Sequence, residues 1–318
     1  MKKKIRKAVI AVTAGLLACA VMISGGCTGK TPARDGDTVK VITVNFPPYD
    51  FVKQITGGEI VPEMLLKGGQ DAHTFEPTAK DMIRINEADI FICTGGESDA
   101  WVDRIADSLD GGVRIIRMTD YTDVIGNEHD EDGHDAHGEN EEEHEHEFDE
   151  HVWTSPERAA SICEGITDVL CEVYPEKADK YRSGLESYKA ELSALSDELR
   201  TAADALEAPL IFGDRFPFLY MAHDYGIEYA AAFSGCSTDT EPSAAKMGEL
   251  IDLAGKEHAE YIYYIEFSTK KIASAIAEAV GAETRLMHSC HTVSDDDIAA
   301  GETYISLMER NIAAMKQK

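Results

Sequence analysis

The stretch PEKADKYRSGLESYKAELSALSDELRTAADALE, residues 175–207, carries a large apolar residue at every third or fourth place. Tyr181, Leu185, Tyr188, Leu192, Leu195 and Leu199 fall on one face of a helix at that spacing, and charged residues occupy the remainder. A helix over the whole stretch would run about 45–50 Å at 1.5 Å per residue. A helix of that length, apolar along one stripe, reads as a backbone between two parts of a larger fold.

On its N-terminal side, short apolar runs alternate with helical patterns. Residues 39–44, 60–66, 89–94 (DIFICT) and 113–118 read as strands, and 48–57, 78–87, 101–109 and 156–173 as helices. On its C-terminal side the series repeats. Strands are predicted over 209–212, 228–232, 261–266 and 284–287, and helices over 216–225, 243–257, 269–280 and 296–318. The fold class is therefore α/β: two doubly wound parallel-sheet lobes, 39–174 and 208–318, joined by one long helix over 175–207.

The first residues lie outside this pattern. Lys2, Lys3, Lys4, Arg6 and Lys7 precede an apolar run over 8–23, the layout of a secretory signal over 1–26. The run is short for a membrane-spanning helix, which needs about 20 residues. Ser24-Gly25-Gly26-Cys27 is similar to a bacterial lipobox, so Cys27 is the expected lipidation site and residues 27–38 a flexible tether. The chain is thus expected outside the cytoplasm, held to the membrane by an N-terminal lipid.

The formal charge is −29, and the signal removes five of the basic groups, which argues against nucleic acid or anionic lipid as a partner of the folded part. Seven cysteines are present; Cys93, Cys163, Cys171, Cys236 and Cys290 remain beyond the signal and Cys27. Cys163 and Cys171 share a predicted helix about 12 Å apart, too far to bridge. Free buried thiols are expected, with one disulfide left open. Residues 128–150 hold thirteen acids and five histidines with no basic residue, a composition that cannot form a core and predicts a surface loop.

Two constellations carry chemistry. Gly68-Gly69-Gln70-Asp71-Ala72-His73 puts His73 in a loop after a strand, where open α/β sheets bind ligands. Alone, such a histidine would more often cap backbone groups. Asp149-Glu150-His151-Val152-Trp153-Thr154-Ser155-Pro156 brings His151 out of the acidic loop into a helix that Ser155 is placed to cap, with Asp149 placed to orient the ring.

The stretches VNFPPYDFVKQITGG, LLKGGQDAHTFEPTAKD, ADIFICTGGESDAW, DEHVWTSPERA and TEPSAAKMGEL, taken in order along the chain, resemble the zinc and manganese solute-binding lipoproteins of ATP-binding-cassette importers. The resemblance implies a metal cleft between the lobes, a transmembrane permease as partner, and His73 and His151 as the first two ligands. The family's third histidine falls here on Arg215, at the start of the helix after the second lobe's first strand. Arginine stays protonated and cannot ligate. The family's last ligand falls in or near Met287-His288-Ser289-Cys290-His291, nearest His288, with His291 as competitor. Glu266 either ligates the metal or pairs with Arg215. The pairing is preferred, since an arginine in a cleft needs a carboxylate.

His73, His151 and His288 would make a neutral three-histidine site with one open position, which suits Zn2+ better than Mn2+. The histidines of 128–150 would collect zinc weakly beside it. The same resemblance admits a manganese-binding member or a metal-binding surface adhesin. Three imidazoles with an open position also occur in catalytic zinc centres. An enzyme is not expected, because no HExxH and no general base accompany the histidines. A monomer is expected.

Overall fold

A computed structural model describes residues 39–316, apart from 71, 110, 127–147, 236 and 238–240. The signal, Cys27, the tether and nearly all of the acidic loop lie outside the described residues. Among the described residues no helix is long and apolar enough to cross a membrane.

The first half runs β1 (Val41–Thr43), α1 (Phe46–Ile55), β2 (Glu63–Met64), α2 (Ala79–Asn86), β3 (Ile90–Cys93), α3 (Ala100–Ala106), β4 (Arg114–Arg117) and α4 (Pro156–Val173). Then comes α5 (Ala178–Asp204). The second half runs β5 (Leu210–Phe216), α6 (Leu219–Tyr225), β6 (Tyr229–Ser234), α7 (Ala244–Lys256), β7 (Tyr261–Tyr264), α8 (Lys271–Val280), β8 (Glu283–Leu286), α9 (Asp295–Ala300) and α10 (Tyr304–Met315).

Each half builds one parallel four-stranded sheet, in the orders β2-β1-β3-β4 and β6-β5-β7-β8. The two orders are the same once counted from each half's first strand. In both, the order reverses beside the first strand, and ligands bind such sheets outside the carboxyl ends at that point.

Alternation along the strands explains the layers. Ile90 and Ile92 face a core cluster that runs from Val41 through the stripe of α5 to Met315. Phe91 and Cys93 face the opposite side of the sheet, with Ile42 and Trp101. In the second half Leu210 and Phe212 join the shared cluster, while Ile211 packs with Ile262 and Ile276. Residues alternate between faces with a period of two, and both faces are covered.

All six residues of the α5 stripe are buried. Burying each leucine stabilises the chain by about 1.5–3 kcal/mol, so the helix is held by packing along its length. It spans 27 residues, about 40 Å at the standard rise. It packs against α4, α1 and α10. The halves therefore share one core.

The single helix predicted over 296–318 is instead two. Gly301 ends α9 at φ +80°, a left-handed conformation that glycine adopts without strain, and Thr303 opens α10 with a capping box to Ser306. Ser294 caps α9 through Asp297, as its position before the acids suggests. Ser155 precedes α4, but its side chain makes no cap bond; Pro156 starts that helix. Cys93, Cys163, Cys171 and Cys290 are free and buried. Cys236 lies outside the described residues.

Candidate metal centre

The carboxyl ends of both sheets face a cavity of about 210 Å³. His73 enters it from a short 3-10 turn, Ala72–Thr74, beyond β2. His151 enters from the segment between β4 and α4, and His291 from the loop after β8. Their ring centroids form a nearly equilateral triangle: 5.6 Å for His73–His151, 5.7 Å for His73–His291 and 5.3 Å for His151–His291. One ring nitrogen from each lies within 4.8 Å of the others. Zinc–imidazole bonds of about 2.0–2.1 Å in a tetrahedron set the nitrogens roughly 3.3 Å apart, a spacing that falls within this limit.

His151 is the most firmly held of the three. Asp149 Oδ1 accepts the backbone N–H of His151 at 2.9 Å and lies 3.0 Å from its Nδ1. Asp149 is itself buried, and its carbonyl accepts from the Tyr220 hydroxyl at 2.6 Å. A carboxylate on Nδ1 keeps the proton there and leaves the Nε2 lone pair for a metal. Gly235 sits against this pair. A Cβ there would lie 2.7 Å from Asp149 Oδ2 and 3.2 Å from His151 Nδ1. Glu150 turns the other way, accepting from Ser98 N at 2.6 Å and from the Ser98 hydroxyl. Asp149 and Glu150 are thus buried anchors, although composition placed them in the acidic loop. Gly126 and Phe148 form an isolated antiparallel bridge just before this pair.

The loop after β8 reverses the expected order of its two histidines. His288 is buried and spent on structure. Its Nδ1 accepts the Cys290 N–H at 2.9 Å, its N–H donates to Asn311 Oδ1 at 2.6 Å, and its carbonyl accepts from Asn311 Nδ2 at 2.8 Å. Cys290 then takes φ +60°, a left-handed kink that turns the chain and carries the His291 ring into the cavity. The three-residue separation places one histidine inside the fold and the next in the cleft. His288 is therefore not among the clustered rings, and His291 is.

The same loop is bonded to both halves. Phe46 N donates to His291 O at 3.1 Å and Trp153 Nε1 to Ser289 O at 2.9 Å, while Glu266 accepts from Ser289 N at 2.8 Å and from the Ser289 hydroxyl. The Trp153 ring also lies 5.0 Å from that of His291. Burial pushes the His291 imidazolium well below its usual range, and the neighbouring His151, His73 and Arg215 add to this. The ring is thereby kept neutral, the form that binds metal.

Arg215 lies within β5, past an irregularity in its pairing, and not at a helix start. It lines the cavity. Among the described residues it forms no ion pair with Glu266, whose two oxygens are turned to Ser289. Glu266 lines the cavity as the brace of the His291 loop. Trp153, Glu150, Gly235 and Asn311 were not singled out by sequence. Of these Glu150, next to His151, and Trp153, two residues on, carried a local signal.

The family described as zinc-uptake complex component A, periplasmic, matches residues 41–318. A zinc-binding lipoprotein of Streptococcus pneumoniae, AdcA, is 35% identical over 301 residues, covering 94% of this chain and 59% of the relative. The chain thus spans about three-fifths of that relative's length. The high-affinity zinc uptake protein ZnuA of Bacillus subtilis is 30% identical over 305 residues, covering 95% of both. The Zn(II)-bound ZnuA-like domain of the pneumococcal AdcA superposes with a TM-score of 0.71 at 30% identity, covering 87% of this chain and 97% of that domain.

Proposed function

This chain belongs to the zinc-uptake complex component A family, and from that premise we propose that it captures zinc outside the cytoplasm and passes it to an ATP-binding-cassette importer. The observation that carries the reading is the triangle of His73, His151 and His291, with donor nitrogens within 4.8 Å. Three neutral imidazoles and one open position match the coordination zinc accepts, whereas manganese prefers more oxygen ligands. His73, His151 and His291 are the ligands in this reading. Asp149 orients His151, and Glu266 and Trp153 brace the loop that carries His291.

The relatives named above are zinc-binding and zinc-uptake proteins, which supports a binding role in place of catalysis. Cys27 carries the lipid that tethers the chain, residues 39–174 and 208–318 are the lobes flanking the 175–207 helix, and the histidines within 128–147 gather zinc near the cleft. The chain works as a monomer against a transmembrane permease.

The test is competitive titration of the metal-free protein with zinc and manganese against a chelator. One tight zinc per chain is expected, and deletion of 128–147 should remove only weaker sites. Tighter manganese binding under matched conditions would overturn the metal assignment, and loss of the tight site on deletion would overturn the division of labour.

A further inference from the structure

The glycine pair ahead of His73 packs against two loops of the second half. Residues 67–70 form a tight turn, in which Gln70 N donates to Lys67 O at 3.0 Å and Lys67 N to Gln70 Oε1 at 2.7 Å. A Cβ on Gly68 would lie 2.6 Å from Val293 O and 2.9 Å from Ser294 Cα, in the loop that carries His291. A Cβ on Gly69 would lie 3.5 Å from Cδ1 of the Phe267 ring, beside Glu266. Phe267 lines the cavity yet is 52% exposed, so it stands at the rim. Its φ is +57°, a left-handed conformation that a bulky side chain seldom takes and that costs energy to hold. Contacts on either side of it keep the loop in place. Glu266 accepts from Ser289 N at 2.8 Å, and Lys270, itself at φ +60°, sets its Nζ 4.5 Å from the centroid of the Tyr264 ring. Glycine or asparagine would meet this backbone with less strain, but neither has a ring to lay on Gly69.

We infer that Phe267 is a positioning residue for zinc retention: its ring, laid on Gly69, ties the loop bearing His73 to the second half and slows release of the captured ion. The inference rests on the zinc reading above. His73 stands four residues beyond Gly69 and reaches the ion from the first half, whereas His291 comes from the second. For the ion to leave, His73 has to part from the other two rings, or water has to reach the ion and take a ligand's place. The contact of Phe267 with Gly69 opposes the first movement. An apolar ring at the rim, with no hydrogen bond to offer, opposes the second. Because about half of the ring is uncovered, removing it opens no hole in the core, and the ligands keep their own hydrogen bonds. The effect falls on the rate at which zinc departs, with the coordination shell left as it is.

The experiment follows zinc release from the whole mature chain into excess chelator by stopped flow. Phe267→Gly and Phe267→Asn should both release zinc roughly tenfold faster than wild type, the ratio that uncovering about 55 Å² of apolar surface corresponds to. Phe267→Tyr, which keeps the ring, should release at the wild-type rate. Cobalt(II), whose visible spectrum reports its coordination shell, should give the same spectrum in all four proteins. Thermal melts of the metal-free variants should match or exceed wild type, since the glycine and asparagine variants also relieve the backbone strain. Release at the wild-type rate from both ringless variants would overturn the inference while leaving zinc capture standing. So would faster release from Phe267→Gly alone, which would assign the effect to chain flexibility. A changed cobalt spectrum or a lowered melt in the ringless variants would likewise overturn it, by making Phe267 a support of the ligands or of the fold. A wild type that holds neither zinc nor cobalt tightly would overturn both readings.

Discussion

Replacing His291 by alanine is the sharpest probe of the cleft, and His288→Ala is its control. His291 contributes one of three clustered nitrogens. Structural zinc sites with four ligands bind with about 10–16 kcal/mol, so one ligand is worth about 3–4 kcal/mol, or roughly 10²–10³-fold in affinity. His288 acts differently. Its Nδ1 is the acceptor for the Cys290 N–H at 2.9 Å, and both groups are buried. Alanine there strands that donor, which costs about 1–3 kcal/mol of folding stability. The two variants should therefore separate on two axes. His291→Ala should lose zinc affinity with little change in the stability of the metal-free protein. His288→Ala should lose stability, with a zinc loss no larger than the roughly 10–100-fold typical of groups behind a ligand. Chelator competition gives the first axis and denaturant unfolding of metal-free protein the second. Equal damage to zinc affinity from the two variants, or greater damage from His288→Ala, would refute the reasoning.

Other parts of the site give their own tests. Asp149→Ala should weaken zinc by roughly 10–100-fold, because the His151 ring loses the carboxylate at its Nδ1; unchanged affinity in the same titration would remove Asp149 from the site. Gly235→Ala should cost about 1–3 kcal/mol by overpacking, since a Cβ would lie 2.9 Å from Phe216 O and 2.7 Å from Asp149 Oδ2; a wild-type melting curve and zinc affinity together would contradict that close approach. Asp99 is raised to about 6, chiefly by burial, with the nearby Glu150 charge adding to it. Its folded pKa lies above the unfolded value of about 3.9, so the folded chain holds the proton more tightly and stability falls as pH rises from about 4 through 6. Asp99→Asn should flatten that fall by about 3 kcal/mol at most, read as the difference between the two proteins in urea unfolding at pH 4 and pH 8.

The architecture was legible in the sequence because it is written in periodicities. The stripe from Tyr181 to Leu199 recurs at helical spacing, and each of its residues is buried. Runs such as DIFICT are apolar on both faces because their sheets are covered on both sides, and β3 buries all four residues. His73 was legible as a candidate because it follows a strand end, where parallel sheets present their ligand sites, and His151 because it leaves the acidic loop at a helix start with Asp149 beside it. The structure does bring those two rings together.

What the sequence left open depends on directions and distances between segments far apart in the chain. His288 and His291 are chemically equal in sequence; resemblance favoured His288, whereas it is His291 that clusters with His73 and His151. The choice falls to the left-handed turn at Cys290, to Asn311 from α10, and to Phe46 and Trp153 from the other half. Arg215 and Glu266 have opposite charges and both line the cavity, yet Glu266 is taken by Ser289, whose N–H lies at 2.8 Å. Asp149 and Glu150 share the composition of an acidic loop but are drawn inside by His151 and Ser98. Local spacing determines which face of an element is buried. Which of two neighbouring polar side chains is spent on the fold and which is left for a ligand is decided by hydrogen-bond partners that only tertiary structure delivers, because a buried polar group has to be satisfied wherever the chain places it.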